Sequence, residues 1–184
     1  VASYLKGRGY STMCVGKWHL GWSWPRRQDA TDAERGDDVD TFDVDYSKSI
    51  DDGPTTVGFD RFFGISASLD MPPYVYVEDD HVTAVPDRNI EATEGKPFWR
   101  GGPIASDFAH GDVLPTLTRK AVDFIDEQAQ GDTPFFLYFP LPAPHTPILP
   151  TAEFAGKSGT NAYGDFCLQV DDVVGQVMAA LQRN

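Results

Sequence analysis

Two short apolar runs, residues 11–17 (STMCVGK) and 134–139 (PFFLYF), constrain the fold of this chain most strongly. Each has the length and composition of a strand that is buried in a parallel sheet. A well-marked helix lies between them at residues 115–131, with a proline near its start, apolar residues along one face and a glycine past its end. A second amphipathic helical pattern covers residues 163–181. Strands that alternate with helices predict an α/β fold, in which helices cover the faces of a sheet.

The remaining segments are predicted to be shorter elements and loops. Residues 1–8 have the pattern of a helix end that is broken by glycine. Residues 74–77 (YVYV) and 81–85 (HVTAV) flank an acidic turn and predict a β-hairpin. Residues 22–54 are polar and acid-rich and have no periodicity, which predicts a long surface loop. Residues 86–114 are rich in glycine and proline, so an irregular segment is expected there.

Charge and composition argue against several classes of function. The chain has 15 basic and 28 acidic residues and a formal charge of −13, which argues against nucleic acid or an anionic membrane surface as a partner. No run approaches the roughly 18 apolar residues that a membrane span needs. Two cysteines, Cys14 and Cys167, are too few for a disulfide framework or a zinc cluster, so both are predicted to be packed thiols. The acidic stretch lacks the residue spacing of a calcium-binding loop.

Titratable residues follow both buried strands. Lys17 and His19 come after the first strand, and His145 follows the second in a loop stiffened by four prolines. Loops at the carboxyl ends of parallel strands meet at one edge of a sheet, so these three side chains are expected near one another. In extended backbone Lys17 and His19 would also point to the same face. They could hold a tetrahedral anion and move a proton. A snorkelling lysine and a histidine bonded to backbone remain an equally good interpretation from spacing alone.

Four blocks of the sequence resemble the sulfatase family, and they occur in the family's order. The first is GYSTMCVGKWHLG, whose Gly-Lys-Trp-His-Leu-Gly core is specific, and the others are GFDRFFG, PFFLYFPLPAPHTP and YGDFCLQVDDVVGQV. The resemblance covers nearly the whole chain. It implies an alkaline-phosphatase-like three-layer α/β sandwich, of which residues 1–184 would form the central part of the catalytic domain.

The resemblance also implies roles for individual residues. Lys17 matches the family lysine that holds sulfate oxygens near the nucleophile. His19 matches the histidine beside the formylglycine hydrate, which helps to expel sulfate from the covalent intermediate. His145 matches the histidine that contacts sulfate and assists departure of the alcohol. These three residues are the predicted catalytic set.

Three further residues are candidates for contact with the substrate. Ser68, in GISASLD, is similar to a serine near the sulfate in arylsulfatase-type members, although its motif is weak. Asp107 and His110, in SDFAHGD, lie where such enzymes shape the substrate pocket, and a surface loop is the alternative for both. Trp18 and Trp22 are interpreted as packing residues, with sugar stacking as the alternative.

Two parts of the family's site have no match in this sequence. The nucleophile motif, Cys/Ser-x-Pro-x-Arg, fits neither cysteine and no serine, and the paired acidic ligands for calcium are not recognisable. The chain opens without methionine in a helical pattern and closes in another. We therefore expect a central sulfatase segment that is inactive alone, whose nucleophile and calcium ligands lie elsewhere in a longer protein. By resemblance, that protein is expected to be periplasmic or secreted.

Three functions remain compatible with these residues. The first is hydrolysis of a sulfate ester, with a sulfated small molecule or a sulfated glycan as the substrate. The second is hydrolysis of a phosphonate or phosphodiester by a formylglycine enzyme with the same fold. The third is binding of sulfated glycans without cleavage, although the joint presence of Lys17, His19 and His145 argues against a degenerate site.

Overall fold

The computed structural model describes residues 1–28 and 43–184. In these residues a five-stranded mixed sheet is accompanied by a two-stranded sheet and by helices. The strands are β1 (Ser11–Lys17), β2 (Arg61–Ile65), β3 (Val77–Glu78), β4 (His81–Val82), β5 (Pro86–Ile90), β6 (Gly102–Ala105) and β7 (Phe135–Tyr138). The α-helices are α1 (Ala2–Lys6), α2 (Val113–Gln128) and α3 (Ala162–Arg183), and short 3₁₀ turns occupy Pro54–Val57 and His110–Asp112.

Strand β1 lies between β2 and β7 and pairs in parallel with both. Its interior residues are buried, as the apolar run predicts, and Cys14 and Val15 are fully inaccessible. The hairpin of β3 and β4 continues the sheet beyond β2 in the antiparallel sense. The predicted strand at residues 11–17 and the predicted hairpin are therefore confirmed, although the hairpin strands are shorter than expected.

Helices cover both faces of the sheet. On β7, Phe135 meets Phe124 of α2 edge to face, whereas Phe136 and Tyr138 stack on Phe59. Neighbouring strand residues point to opposite faces, so α2 lies on the face opposite Phe59. The start of α1 lines the same cavity as Phe59, Phe136 and Tyr138, which places this short helix on the other face. The predicted layered α/β arrangement is confirmed.

The two long helices follow from local sequence signals. Helix α2 buries the apolar face that its periodicity predicts, which includes Leu117, Ala121 and Phe124. Helix α3 begins after Asn161, whose side-chain oxygen accepts hydrogen bonds from the backbone N–H groups of Tyr163 and Gly164. Helix α3 packs against α2, and none of the described helices is long and apolar enough to cross a membrane.

Three expectations are corrected by the structure. The segment 86–114 is not wholly irregular, because β5 and β6 form an antiparallel pair and α2 begins at Val113. Strand β7 is at the sheet edge within the described residues and is half-buried rather than buried. The surface loop predicted at 22–54 lies partly outside the described residues, but its flank includes Asp43, which is fully buried and paired with Arg26.

Candidate active site

The loops that leave β1 and β7 meet at the carboxyl edge of the sheet, as the sequence predicts, and the loop after β2 joins them there. The backbone N–H of Lys17 donates to the Pro140 carbonyl, 2.9 Å away, which joins the end of β1 to the loop after β7. The backbone N–H of His19 donates to the Ser66 carbonyl, also at 2.9 Å, which joins it to the loop after β2. The chain thus brings three loops with polar side chains to one place.

Two glycines allow the backbones to approach closely at this edge. Gly16 has a φ of 136°, a conformation that other residues rarely adopt, and a Cβ there would overlap the Pro140 carbonyl. A Cβ on Gly64 of β2 would in turn overlap the Gly16 carbonyl oxygen. The glycine before Lys17 in the Gly-Lys-Trp-His-Leu-Gly block is therefore a requirement of the local packing.

Lys17 and Ser68 face each other across this edge. The Nζ atom of Lys17 lies 3.5 Å from the Oγ atom of Ser68. Lys17 is half-buried, and Ser68 is only 5% exposed. A cation beside a hydroxyl in a partly desolvated position can hold an oxyanion more strongly than the same groups in bulk water. Ser68, which the sequence identified only from a weak motif, is thus placed beside the lysine by the fold.

His19 occupies a strained backbone position at the rim of a pocket. Its φ is 51°, in the left-handed region that residues other than glycine seldom adopt. The expectation that extended backbone aligns His19 with Lys17 is therefore wrong, since β1 ends at Lys17. The exposed His19 instead lines a cavity of about 210 Å³ together with Trp22, Trp24 and Ser66.

His145 is held by its own loop and lies near a buried carboxylate. Its side chain is 52% exposed, and its Nδ1 atom lies 2.8 Å from the backbone carbonyl oxygen of Thr146. The same Nδ1 atom lies 4.0 Å from Oδ1 of Asp70, in the loop after β2. The loop after β7 therefore lies beside the loop after β2, which contains both Ser68 and Asp70.

Asp70 is a site residue that sequence reasoning missed. It is 6% exposed, and its Oδ1 atom is buried with no hydrogen-bond partner among the described residues. Its Oδ2 atom lies 4.0 Å from Nη2 of Arg100. In the sequence Asp70 is one of 28 acidic residues, and only its position two residues after Ser68 could have singled it out.

Asp107 and His110 lie beside other partners. The exposed Asp107 accepts a hydrogen bond of 2.6 Å from the Thr83 hydroxyl. His110 is buried, stacks on Trp99 with ring centroids 4.3 Å apart, and packs against Tyr74. Burial lowers the pKa of His110 from 6.5 to about 4, so its ring is neutral near neutral pH. The surface-loop alternative is wrong for His110, and the substrate-binding roles of both residues stay predictions.

Trp18 and the cysteines behave as packing residues. Trp18 is buried, meets Phe59 edge to face and donates its indole N–H to the Gly21 carbonyl at 2.8 Å. Cys14 is inaccessible, and burial raises the pKa of its thiol to about 12, which leaves it protonated and inert. Cys167 is a half-buried free thiol. The prediction of packed thiols is confirmed most clearly for Cys14.

The described residues contain no group of three or more histidine, cysteine, aspartate or glutamate side chains that could hold a metal ion. The part of the chain that the structure covers therefore does not fit a calcium site. What it does provide is a lysine, a buried serine and two exposed histidines at one sheet edge.

Comparison with known proteins identifies the family of the chain. The sulfatase family model matches residues 1–184, the whole of the chain. The chain belongs to the sulfatase family. The predicted family is therefore confirmed, and the predicted catalytic roles of Lys17, His19 and His145 stay predictions.

Several curated sulfatases are similar to this chain. The N-acetylgalactosamine-6-O-sulfatase of Bacteroides thetaiotaomicron is 29% identical over 98% of this chain and 39% of its own length. The mouse N-acetylgalactosamine-6-sulfatase is 29% identical over 97% of the chain and 28% of its own length. Human arylsulfatase A is 28% identical over 98% of the chain and 31% of its own length. The chain thus spans well under half the length of these relatives.

Solved structures show the same fold. One from work on glycosaminoglycan metabolism by Bacteroides thetaiotaomicron superposes with a TM-score of 0.74 at 28% identity, covering 99% of this chain and 41% of that one. A sulfatase from a Pseudoalteromonas species superposes with a TM-score of 0.63 at 17% identity, covering 99% of this chain and 34% of that one. The described strands and helices therefore form part of the sulfatase α/β fold.

Proposed function

We propose that this chain is the central part of a sulfate ester hydrolase and supplies the groups that bind the sulfate and assist its transfer. The observation that carries the proposal is the position of Lys17, 3.5 Å from the buried hydroxyl of Ser68, at the edge where the loops of His19 and His145 also end. Membership of the sulfatase family supports the same reaction.

Cleavage of a sulfate ester needs positive charge and hydrogen-bond donors around the sulfuryl oxygens. Negative charge builds up on those oxygens and on the leaving oxygen, so preorganised donors lower the barrier. Lys17 and Ser68 would hold the sulfuryl oxygens, because one is a cation and the other is a hydroxyl held at a buried position beside it. Ser68 would add orientation, since its burial limits its side-chain freedom.

The two histidines would handle protons at opposite ends of the reaction. His145 is exposed at the edge and would donate a proton to the leaving oxygen, while His19 would assist the release of sulfate from the covalent intermediate. The oxygen nucleophile, expected to be a formylglycine hydrate, and the expected calcium would be provided by a segment outside this chain. The described residues hold no site for that ion, so the contribution proposed for this chain is confined to its own lysine, serine and histidines.

A sulfated sugar is the proposed substrate class. Two of the similar relatives are named for N-acetylgalactosamine 6-sulfate. The pocket beside His19 has an apolar wall that includes Trp22 and Trp24, and indole rings accept the apolar faces of sugar rings. We propose a sulfated glycan in the periplasm or outside the cell, where such polymers are encountered.

The test uses the longer protein that contains this chain, assayed in parallel on N-acetylgalactosamine 6-sulfate, 4-nitrophenyl sulfate and 4-nitrophenyl phosphate. Turnover of the sulfate esters that Lys17→Ala abolishes supports the proposal. Preference for the phosphate ester would instead identify a phosphate-ester hydrolase, and glycan binding without turnover would identify a lectin-like relative. The 184-residue chain alone is expected to show no turnover, and activity of the isolated chain would overturn the assignment of the nucleophile to another segment.

A further inference from the structure

Asp70 presents a buried carboxylate to a histidine that the proposed reaction uses. Its Oδ1 atom is inaccessible and has no hydrogen-bond partner among the described residues. That same atom lies 4.0 Å from Nδ1 of His145. A buried carboxylate oxygen without a hydrogen-bond partner is costly, so the position of Oδ1 beside an exposed imidazole indicates a purpose beyond packing.

One short segment fixes both residues relative to each other. The backbone carbonyl of Asp70 accepts hydrogen bonds of 3.0 Å from the Arg100 N–H and from the Tyr74 hydroxyl. Four residues before Arg100, the Lys96 carbonyl accepts from the Ile148 N–H at 3.1 Å and from the Thr146 hydroxyl at 3.3 Å. Residues 96–100 therefore connect the loop of Asp70 to the loop of His145. The distance between Asp70 and His145 is thus set by hydrogen bonds on both sides.

The surroundings of Nδ1 determine where the imidazole carries its proton. The Thr146 carbonyl, 2.8 Å away, can only accept a hydrogen bond, so this contact favours the tautomer in which Nδ1 is the donor. The nearby carboxylate of Asp70 favours the same tautomer, because it too is only an acceptor when ionised. Nε2 is then left for the substrate.

We propose that Asp70 is a positioning residue for His145, holding the Nδ1–H tautomer and stabilising the imidazolium whose Nε2–H protonates the leaving group. The inference rests on the proposed sulfate ester hydrolysis. In the step concerned, the bond from an oxygen nucleophile of the longer protein to sulfur forms as the bond from sulfur to the ester oxygen breaks. The bonding electron pair goes to the ester oxygen, which takes the proton from Nε2, and the alcohol departs neutral. Asp70 neither gives nor takes a proton in this step and touches no reacting atom.

The ion pair with Arg100 does not by itself explain the buried carboxylate of Asp70. Its Nη2 atom lies 4.0 Å from Oδ2, and its side chain is half exposed, so the ion pair is long and open to solvent. It involves only Oδ2, whereas Oδ1 lies 4.0 Å from Nδ1 of His145. Arg100 therefore leaves the position of Oδ1 unexplained, and the imidazole of His145 remains the group beside it.

The test is Asp70→Asn in the longer protein, with Asp165→Asn as the matched control. Asp165 is also 6% exposed, but it accepts backbone N–H groups of Gly156 and Ser158 near the start of α3. We expect Asp70→Asn to lower kcat about ten- to a hundredfold on sugar sulfates, whose leaving groups need a proton, with KM nearly unchanged. On 4-nitrophenyl sulfate, whose leaving group departs without one, the loss should be less than about threefold.

A double variant tests whether Asp70 acts through the histidine. Asp70→Asn combined with His145→Ala should be no slower on sugar sulfates than His145→Ala alone, because Asp70 then has no imidazole to position. Additive losses, or equal losses on both ester classes, would overturn the proposal. If the wild-type protein hydrolyses no sulfate ester, the proposed function fails, and the tautomer measurement then decides the inference on its own.

That measurement is ¹⁵N NMR of the imidazole of His145, which reports the protonated nitrogen directly. The wild-type ring should show Nδ1–H as the dominant neutral tautomer, and Asp70→Asn should shift population toward Nε2–H, whereas Asp165→Asn should not. An unchanged tautomer in Asp70→Asn would contradict the inference.

Discussion

The Nζ atom of Lys17 and the Oγ atom of Ser68 lie 3.5 Å apart although 51 positions separate them in the sequence. The pairing of β1 with β2 brings them together, since the parallel register sets Lys17 opposite Ile65, three residues before the serine. The geometry of the proposed sulfate-binding pair is thus a consequence of strand register. Any change that shifts β1 against β2 would separate them.

Loss of the lysine should remove most of the proposed activity without unfolding the chain. We expect Lys17→Ala in the longer protein to lower kcat/KM for sulfate esters about 100-fold or more, because a preorganised cation at the sulfuryl oxygens is lost. Lys6→Ala is the matched control, since Lys6 pairs with Asp60 just before β2, at the opposite edge of the sheet. Steady-state kinetics of both variants check this. Equal losses in the two variants would contradict the assignment.

Replacing His19 by glycine should separate its chemical role from its backbone cost. The left-handed conformation of His19, with a φ of 51°, costs roughly 1 kcal/mol for a residue with a Cβ, and glycine does not incur that cost. We expect His19→Gly to unfold at a urea concentration at least as high as the wild type, while the longer protein loses turnover. His19→Ala keeps the strain and serves as the comparison. A lower urea midpoint for the glycine variant would show that the imidazole stabilises the fold.

The sequence could predict the sheet edge because parallel strands carry a local signal. The buried run at residues 11–17 and the position of His145 after a second run were enough to bring Lys17 and His145 to one edge. Both strands are largely apolar, and the direction of parallel strands fixes where their ends lie.

The remaining features depend on contacts that no local pattern encodes. Strands β5 and β6 contain Pro86, Pro103 and Gly102, which weaken any strand pattern, and pairing between the two strands holds them together. Asp70 becomes a candidate site residue only in the folded chain, where it is buried and its Oδ1 atom lies 4.0 Å from Nδ1 of His145. His110 likewise resembles a loop residue in the sequence, because the aromatic rings that bury it come from distant segments.

Two glycine substitutions should have opposite effects on stability. Gly16→Ala places a Cβ against the Pro140 carbonyl at a φ of 136°, so we expect a loss of about 3 kcal/mol or more in the free energy of unfolding. Gly175→Ala adds a Cβ in open space inside α3, where alanine favours the helix by up to about 1 kcal/mol. Urea unfolding followed by circular dichroism measures both. A Gly16→Ala protein as stable as the wild type would contradict the close packing at the end of β1.

The buried His110 should make the stability of the chain depend on pH in a defined window. Burial lowers its pKa from 6.5 to about 4, so the unfolded chain binds a proton that the folded chain excludes. This contribution to the free energy of unfolding is fully present above pH 6.5 and is lost as the pH falls from 6.5 to 4, by about 2 to 3 kcal/mol. His110→Phe should flatten the dependence in that window, because the ring that must otherwise be protonated is gone.

Urea unfolding of the wild type and His110→Phe between pH 4.5 and pH 7.5 checks the window and stays above the usual pKa values of carboxylates. Phe124→Leu is the control, since it perturbs a buried side chain of α2 but keeps His110. It should lower stability by a similar amount at every pH and leave the slope unchanged. The free energy of unfolding of His110→Phe and of the wild type could instead fall in parallel below pH 6.5. Protonation of another group would then cause the pH dependence, and His110 would not be held neutral by its aromatic surroundings.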